Sequence, residues 1–583
     1  MNSIFGRRFD RMSGETMDNV RKIITPTALW SDFNDSLPLK ESKVNEMIYD
    51  GIIYSEVYFS GRETESGRVR IYGLYARPQN LPAGRKIGGI LILPDCSETV
   101  NLDTVNYYVR QGYAVLMVDY RGEYPGTPEY TNYPTEIDYA NLKQAGDIFH
   151  VERTAKECCW YEWAAVAKYA AVFLQTRPEV EKIALIGIKQ GANVGWQSLY
   201  GDKRISCFIS VYGIGWQAYK GVFRHISADI ELDDERYRWL GGVDAHVYAQ
   251  YVNCPVLYVA GTNSSDFDCD RGPDTLQRLK PDVEHSFNYA PRFRDTINKK
   301  CGDDILIFLK RHLSKDGANI EKYYFPAAPQ VKTAAGEDGV SYFAEVTVAE
   351  PEKLKSLAVY LSEGVSAPGL RNWQPMQLVK QDKEKKYYHA MLGGDSDFTH
   401  AFAVAEYKNG VTVSSKIVYG TLAHMSVRAS NMLYTSDMGA DCFTPANEKL
   451  SAIGGIIFNE SDSIRLAECS NGITGVTSRY GLLTYKIGEN RFKPGRRSIL
   501  KFDVFSSDYT VLKISLLTGN KLGELEEYSV KVNFGCANSW YNVQVAFTDF
   551  KNEMNFSLKD FESVSAIKIE SDSLFAINNV LLI

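Results

Sequence analysis

The chain has 583 residues and a formal net charge of −7, from 65 Lys and Arg against 72 Asp and Glu, with a pI of about 5.8. Hydrophobic residues make up 44% and aromatic residues 12%, which is enough for large packed cores and excludes a chain that is disordered over most of its length. No segment concentrates Lys and Arg into a basic stripe, so we predict no nucleic-acid binding. At roughly 150 residues per domain, the length predicts three or four domains.

The N-terminal segment has no apolar run behind its positive charges, unlike a secretory signal. No stretch approaches the ~18 apolar residues of a membrane span. We therefore expect a cytoplasmic location and no membrane partner. Ten cysteines form no C-x-x-C pair, so we expect free, buried thiols. The eight histidines are scattered, and we predict neither a metal site nor a cofactor.

Between residues 68 and 312, strand-like and helix-like segments alternate. The strand-like runs, such as 87–94 and 113–120, are continuously apolar, which is typical of a mainly parallel sheet buried on both faces. This pattern predicts an α/β layered architecture. We expect the aromatic residues of the long helix, Trp160, Tyr161 and Trp163, to pack in the core rather than to form a sugar platform.

After residue 312 the pattern changes. The Pro- and Ala-rich segment 323–336 predicts a linker. From residue 340 onward almost all segments are strand-like. The first group predicts a small β-sandwich, and the second, with eight or more strands, predicts a jelly roll. We therefore predict three domains: an α/β domain over 1–322, a β-sandwich over 323–422 and a jelly roll over 423–583.

The motif with the most chemical content is Gly187-Ile188-Lys189-Gln190-Gly191, which lies between a predicted strand and a predicted helix. This is the layout of the G-x-S-x-G nucleophile elbow, whose central residue has a strained backbone. Its glycines allow the strand and the helix to approach closely. Both elbow glycines, Gly187 and Gly191, are present, and Lys189 stands where the nucleophilic Ser is expected.

The sequence resembles the α/β-hydrolase superfamily, in particular acetylxylan-esterase-like and dienelactone-hydrolase-like enzymes. Besides the elbow, the resemblance depends on the segments VYFSGRETESGRVRIYGLYARP, GGILILPDCSE and GYAVLMVDYRGEYPG, and it covers roughly residues 28–313. It implies an α/β-hydrolase fold, in which Gln190 and Cys96 are the positions equivalent to the oxyanion hole. Asp95-Cys96 stands where a His-Gly pair is common.

The resemblance also implies where the acid and the base of a catalytic triad would lie. The acid belongs to the stretch 261–268, where Asp266 is the candidate, although Ser264 can hold the usual slot instead. The base belongs to the loop 289–295, which contains no His but ends in Asp295.

Acyl transfer by this fold requires an oxygen nucleophile, a neutral imidazole and a carboxylate that orients the imidazole. Two of these groups are missing here. A Lys nucleophile would need a depressed pKa, whereas a neighbouring carboxylate has the opposite effect. We predict that Lys189 pairs with Asp266, Asp295 or both, so that a charged network occupies the triad positions without catalytic function.

Three interpretations of function stay open. The preferred one is a catalytically inactive pseudo-esterase that binds a ligand or acts as a scaffold, with a carbohydrate or a small ester as the expected ligand class. The second is an active carboxylic-ester hydrolase, acting on an acetylated glycan or a small ester through a non-standard site; Ser97 and Ser198 are the nearby hydroxyls. The third is a structural or assembly protein. A cleft lined by aromatic and polar groups favours the first, and a filled cleft favours the third. A homo-oligomer is compatible with all three.

The loop that follows the predicted strand 113–120 contains Asp119, Arg121, Glu123 and Tyr124. It lies at the carboxyl end of the sheet, where ligands bind in open α/β folds. These residues either contact a ligand in the cleft or form a structural ion pair between Asp119 and Arg121.

The two C-terminal segments look like modules that accompany hydrolases of this group. The first is similar to an immunoglobulin-like module, and the second to carbohydrate-binding jelly rolls, so sugar binding rests on fold-level analogy. Asn578 and Asn579 replace the acidic residues that can accompany a calcium site, and the single tryptophan, Trp540, falls within a strand. The alternative is an accessory or dimerising sandwich.

Overall fold

The computed structural model describes residues 23–583, except for 125, 146–147, 152, 226–231, 315–321, 394–395, 422–429, 449–451, 458–463, 480, 493, 521–522 and 536.

A nine-stranded mixed sheet forms the centre of the N-terminal part. Its strands are β1 Ser42–Tyr49, β2 Ile52–Thr64, β3 Gly67–Pro78, β4 Ile87–Leu93, β5 Ala114–Val118, β6 Val180–Ile188, β7 Ile205–Val211, β8 Val256–Gly261 and β9 His285–Ala290. The spatial order is β1-β2-β3-β5-β4-β6-β7-β8-β9. Strands β4 to β9 are parallel, and β1, β2, β3 and β5 pair antiparallel. All five residues of β5 are buried, as expected for a strand covered on both faces.

Helices cover both faces of this sheet. They are α1 Pro26–Leu29, α2 Leu102–Arg110, α3 Leu142–Ala145, α4 Cys159–Gln175, α5 Gln190–Ser198, α6 Asp234–Gly242, α7 Ala245–Tyr248, α8 Gly272–Leu276 and α9 Lys299–Leu313. In α4, Trp160, Tyr161 and Trp163 are buried in the core, so the prediction that they pack there is confirmed. The caps are local: Asn298 accepts a hydrogen bond from the N–H of Cys301 at the start of α9.

The next strands form two antiparallel sheets around one apolar core that includes Val346, Val359 and Ala403. The strands are β10 Gln330–Ala335, β11 Ser341–Thr347, β12 Leu354–Glu363, β13 Gln374–Pro375, β14 Gln377–Gln381, β15 Lys386–Leu392, β16 Phe398–Tyr407, β17 Thr412–Ser414 and β18 Val418–Thr421. One sheet has the order β10-β11-β15-β14; the other has the order β13-β12-β16-β17, with β18 also paired to β16. The linker predicted over 323–336 is therefore wrong in part, because β10 pairs with β11 along its whole length.

The last part of the chain consists of strands β19 to β31, which form two larger antiparallel sheets and a short hairpin. Their bounds are β19 Met432–Tyr434, β20 Thr444–Pro445, β21 Ala452–Ile453, β22 Ile456–Ile457, β23 Ile464–Glu468, β24 Thr474–Ser478, β25 Leu482–Thr484, β26 Ile499–Ser506, β27 Thr510–Gly519, β28 Leu525–Phe534, β29 Ser539–Ala546, β30 Val564–Ser571 and β31 Phe575–Leu582. The larger sheets have the orders β23-β24-β31-β26-β29, with β19 beside β31, and β20-β25-β30-β27-β28. The predicted fold class, an α/β-hydrolase sheet followed by all-β sheets, is confirmed; the domain boundaries and the immunoglobulin-like and jelly-roll types stay predictions.

A buried ion pair joins the α/β part to the first pair of β-sheets. The guanidinium of Arg371 donates to both carboxylate oxygens of Asp270, with both distances 2.6 Å. The two side chains are 0% and 2% exposed. Arg371 also donates to the backbone oxygen of Ser366, so most of its donors have partners inside the protein.

The nine cysteines that the structure describes are all free thiols; Cys536 lies outside the described residues. Among the helices that the structure describes, none combines the length and the apolar character that a membrane crossing requires.

Candidate functional site

Lys189 occupies the sharp turn between β6 and α5. Its backbone angles are φ 51° and ψ −116°, in the left-handed region that non-glycine residues avoid. Two hydrogen bonds hold this conformation: the Lys189 N–H donates to the oxygen of Val211 at 2.7 Å, and its carbonyl accepts from the N–H of Ala192 at 3.0 Å. This is the strained strand-to-helix turn that the nucleophile-elbow motif predicts.

The elbow glycines are required by close backbone packing. A Cβ on Gly187 would lie 2.3 Å from the Cα of Ala192, and a Cβ on Gly191 would lie 2.2 Å from the carbonyl oxygens of Leu93 and Pro94. Gly213, which no sequence motif indicates, packs equally closely, because a Cβ added there would lie 2.0 Å from the carbonyl oxygen of Lys189. All three contacts are too short for any side chain.

The Lys189 side chain pairs with Asp295, which lies in the loop where the base of a triad would stand. The distance from Nζ to Oδ1 is 3.5 Å, and the side chains of Lys189 and Asp295 are 15% and 43% exposed. Burial lowers the pKa of Lys189, but the nearby carboxylates of Asp295, Asp95 and Glu98 outweigh it and raise the pKa above its ordinary value. The predicted pairing with Asp295 is confirmed, and the amine is held in its charged form.

Asp266 does not join this network. Its carboxylate lies 2.9 Å from Nζ of Lys220, which also pairs with Glu524 at 3.2 Å. The local cause is a turn: the hydroxyl of Ser264 accepts the N–H of Asp266, and the carboxylate of Asp266 points to a partner other than Lys189. Of the alternatives that the sequence left open, the structure therefore contains the pair of Lys189 with Asp295 and not a pair with Asp266.

Asp95, for which no sequence pattern predicts a partner, lies beside the elbow and binds two donors there. Oδ1 of Asp95 accepts the backbone N–H of Gln190 at 3.4 Å, and Oδ2 accepts the hydroxyl of Ser97 at 2.6 Å. The N–H of the residue after the nucleophile is the donor that stabilises the oxyanion in hydrolases of this fold. A carboxylate already uses that donor here, and the hydroxyl of Ser97 is bound to the same carboxylate.

Two other side chains near the elbow, those of Cys96 and Ser198, are buried. Cys96 is buried, and burial followed by the charge of Asp95 raises the pKa of its thiol to about 12. The Cys96 carbonyl accepts a hydrogen bond from Arg121 at 2.9 Å. Ser198 is buried and its hydroxyl donates to the carbonyl of Gly195 at 2.8 Å.

A carboxylate from the C-terminal part of the chain fixes the loop that contains Asp295. The buried Glu448 accepts the backbone N–H of Arg294, Asp295 and Thr296 and the hydroxyl of Thr296, at 2.8–3.0 Å. Burial raises the pKa of Glu448, although Arg294 and the N–H donors oppose this effect. The position of Asp295 thus depends on a residue about 150 positions away, which no local sequence pattern indicates.

The loop after β5 is bonded within itself. Oδ2 of Asp119 accepts the N–H of Thr131 at 2.7 Å, and Oδ1 lies 3.6 Å from Nε of Arg121. The Arg121 guanidinium lies 3.8 Å above the ring of Tyr124. Burial raises the pKa of Asp119 to about 6, although the backbone hydrogen bond from Thr131 and the charge of Arg121 lower it. Of the two alternatives for this loop, these contacts fit a structural ion pair between Asp119 and Arg121.

Glu123, the fourth residue of that loop, pairs with Lys143 at 2.7 Å on the exposed surface. Asp119 and Arg121 nevertheless line a cavity of about 250 Å³, so a ligand role for this loop stays a prediction.

The C-terminal positions singled out in the sequence are also bonded internally. Asn578 accepts the N–H of Ser436 at 2.9 Å, and Asn579 donates to Asp503 at 2.9 Å. Trp540 is half-buried and donates to the carbonyl of Ser470 at 3.3 Å. Sugar binding by this part of the chain stays a prediction.

The mixed sheet, the elbow at Lys189 and the loops that follow β4 and β9 define an esterase-like α/β-hydrolase fold. No protein-family model and no curated protein sequence matches this chain. Among solved structures, the chain is similar to acetyl xylan esterase 1 from Thermoanaerobacterium sp., with 16% identity, coverage of 51% of this chain and 98% of that one, and a TM-score of 0.38.

An acetyl xylan esterase from Paenibacillus sp. has 16% identity, covers 49% of this chain and 92% of that one, and has a TM-score of 0.38. A putative dienelactone hydrolase from Klebsiella pneumoniae has 13% identity, covers 45% of this chain and 98% of that one, and has a TM-score of 0.30. Likenesses at these TM-scores establish no function for this chain.

Proposed function

We propose that this protein is a pseudo-esterase: a ligand-binding protein built on an esterase-like α/β-hydrolase fold that does not transfer acyl groups at its elbow. One observation carries the proposal. The positions for the nucleophile, the base and the oxyanion are filled by Lys189, Asp295 and the carboxylate of Asp95, which are joined by charge and hydrogen bonds.

Each of these groups opposes acyl transfer. A protonated amine has no lone pair with which to attack a carbonyl, and its raised pKa keeps Lys189 protonated. The position of the base holds the carboxylate of Asp295 instead of a neutral imidazole, which is the group that takes the proton of the nucleophile in this chemistry. An oxyanion at the Gln190 N–H would meet the charge of Asp95, and a separation of about 4 Å costs about 4 kcal/mol at an effective dielectric of 20.

Ligand binding, rather than a purely structural role, is supported by an open cavity at the same edge of the sheet. It has a volume of about 340 Å³ and is lined by polar and aromatic side chains, including Gln217, Arg236 and Trp239. This volume lies within the range of small-molecule sites. A carbohydrate or a small ester remains the proposed ligand class, and the cytoplasm the proposed location.

The test is steady-state hydrolysis of p-nitrophenyl acetate by the purified protein, Lys189→Ala and Lys189→Ser. We expect all three to give rates equal to buffer after any initial stoichiometric burst from surface lysines. The control is a far-UV circular dichroism spectrum and a thermal midpoint for each variant. Multiple turnovers by the wild type that disappear in folded Lys189→Ala would overturn the proposal and make Lys189 a nucleophile or a base.

A second outcome identifies the alternative, an active hydrolase with a non-standard site. Multiple turnovers that persist in Lys189→Ala but disappear in Ser97→Ala would place catalysis on the hydroxyl that donates to Asp95. Either result contradicts the pseudo-esterase.

A further inference from the structure

A cavity of about 250 Å³ lies between the loop that follows β5 and the strands β2 and β3. Glu56 and Tyr58 are two residues apart on β2, and Tyr72 of β3 lies opposite Tyr58 in the register, so these three side chains lie on one face of the sheet. The ring centroids of Tyr58 and Tyr72 are 5.5 Å apart. Glu129 lines the same cavity from the loop after β5.

The phenol of Tyr72 is an unpartnered polar group in this cavity. Tyr72 is 8% exposed, and its hydroxyl forms no hydrogen bond with any residue that the structure describes, although its backbone N–H donates to the hydroxyl of Thr131 at 3.0 Å. Unlike the atoms that the protein covers completely, this hydroxyl keeps accessible surface, and that surface faces the cavity. The hydroxyl of the neighbouring Tyr58, by contrast, donates to Glu129 at 2.7 Å. Polar groups this deep in a protein normally have a partner, so the phenol of Tyr72 is left for a group that enters the cavity.

The cavity also carries uncompensated negative charge. Glu56 and Glu129 are partly buried, and neither forms an ion pair with any residue in the described part of the chain. Asp119 and Arg121 line the cavity as well, but they lie 3.6 Å apart as a pair and together add no net charge. Burial raises the pKa of Tyr72, and the charges of Glu56 and Glu129 raise it further, so the field of both carboxylates reaches the phenol. The cavity therefore favours a cation.

The acceptors and the aromatic rings specify the kind of cation. A primary ammonium has three N–H donors, and the cavity offers three acceptor groups, which are the carboxylates of Glu56 and Glu129 and the phenol oxygen of Tyr72. Hydrogen bonds between charged partners are stronger than those between neutral ones. Tyrosine rings attract a cation within ~6 Å of their centroids and provide an apolar wall for a carbon chain. A volume of about 250 Å³ is at the small end for ligand sites, so the chain has to be short.

We propose that this cavity binds a small primary amine in its ammonium form, with the ammonium on Glu56, Glu129 and the phenol oxygen of Tyr72. The short carbon chain of the ligand lies against the tyrosine rings. Neither Lys189 nor Asp295 lines this cavity, so the test of this site does not depend on the pseudo-esterase proposal.

The experiment is isothermal titration calorimetry of the full chain with n-butylammonium chloride at about pH 7, where an alkylamine is protonated. The comparison compounds are tetramethylammonium, which is a cation without N–H donors, the neutral butan-1-ol and the anion butyrate. We expect saturable binding of n-butylammonium, roughly tenfold weaker binding of tetramethylammonium, and no binding of the other two. Absence of n-butylammonium binding, or equal affinity for butan-1-ol or tetramethylammonium, would overturn the proposal.

Matched variants locate the site. Glu56→Gln removes one charge with almost no change in volume and should weaken n-butylammonium binding roughly 10- to 100-fold, the usual loss for a hydrogen bond to a charged group. Glu553→Gln is the same substitution at an exposed position of the C-terminal part and should leave the affinity unchanged. Tyr72→Phe keeps the ring, removes only the hydroxyl and should weaken binding roughly 2- to 10-fold. If Tyr72→Phe fails to fold, Glu56→Gln still decides, because Glu56 is only partly buried. Equal affinities of Glu56→Gln and Glu553→Gln would overturn the proposed site.

Discussion

Replacing Asp295 by Asn removes the nearest counter-charge of Lys189 with almost no change in side-chain volume. The separation of 3.5 Å corresponds to an attraction of about 1 kcal/mol in bulk water and about 5 kcal/mol at an effective dielectric of 20. Because Asp295 is 43% exposed, solvent screens the pair and the lower part of this range applies. We therefore expect the neutral fraction of the Lys189 amine at a given pH to rise on the order of tenfold in Asp295→Asn.

The assay is trace acylation with a small amine-selective reagent as a function of pH, with the extent of modification of Lys189 measured by mass spectrometry of its peptide. Only the neutral amine reacts, so the labelling rate follows its population. The exposed Lys203 and Lys559 in the same sample are internal standards, and their rates should not change.

Asp266→Asn is the matched control, since it removes a carboxylate of the same size from a neighbouring loop. Asp266 pairs with Lys220, so Lys189 should label at the wild-type rate in this variant. An unchanged rate in Asp295→Asn, or an equal acceleration in Asp266→Asn, would refute the assignment of Asp295 as the main partner of Lys189.

Two further predictions concern the buried pair between Arg371 and Asp270. Arg371→Met leaves Asp270 buried without its partner and should lower the free energy of unfolding by about 3–5 kcal/mol. The measurement is the urea midpoint of the first unfolding transition, with the exposed Arg497→Met as the control. A loss of unfolding free energy below about 1 kcal/mol would contradict this prediction. Burial alone would raise the pKa of Asp270, but Arg371 outweighs it and lowers the pKa to about 2. The contribution of Asp270 to stability is therefore complete above the unfolded-state pKa of ~3.9 and is lost as the pH falls through about 2. Thermal midpoints measured between these pH values should fall more steeply for the wild type than for Asp270→Asn, and parallel curves would exclude the pair as a source of acid sensitivity.

Local patterns were sufficient for the parts of the site that lie within one strand, turn and helix. Residues 183–186, directly before Gly187, are all apolar and predict a buried strand, and the two glycines predict the close strand-to-helix turn that the structure contains. That Lys189 pairs with an aspartate of another loop was predictable because the loops after parallel strands meet at one edge of a sheet. The choice between Asp295 and Asp266 was not predictable, since it depends on a turn made by Ser264.

Asp95 and Glu448 could not be found in the same way. Asp95 reaches the Gln190 N–H because β4 and β6 are neighbours in register, with Leu93 opposite Gly187, although they are separated by nearly a hundred residues. Glu448 lies in the third predicted domain, 423–583, whereas the loop that it binds lies in the first, 1–322. Both carboxylates accept hydrogen bonds from backbone N–H groups. Every residue except proline has such a group, so the identity of the donor residues does not reveal the contact.

The strained backbone at Lys189 is retained for packing as well as for any chemistry. A non-glycine residue at φ 51° costs on the order of 1–3 kcal/mol. Relaxing the turn would move α5 away from β6, yet Gly191 lies directly against the carbonyls of Leu93 and Pro94, and the Lys189 N–H holds the oxygen of Val211. Because the packing of the helix against three strands requires the turn, the elbow geometry forms with a lysine at its centre. An elbow is thus diagnostic of this fold, whereas catalysis has to be argued from the groups that surround it.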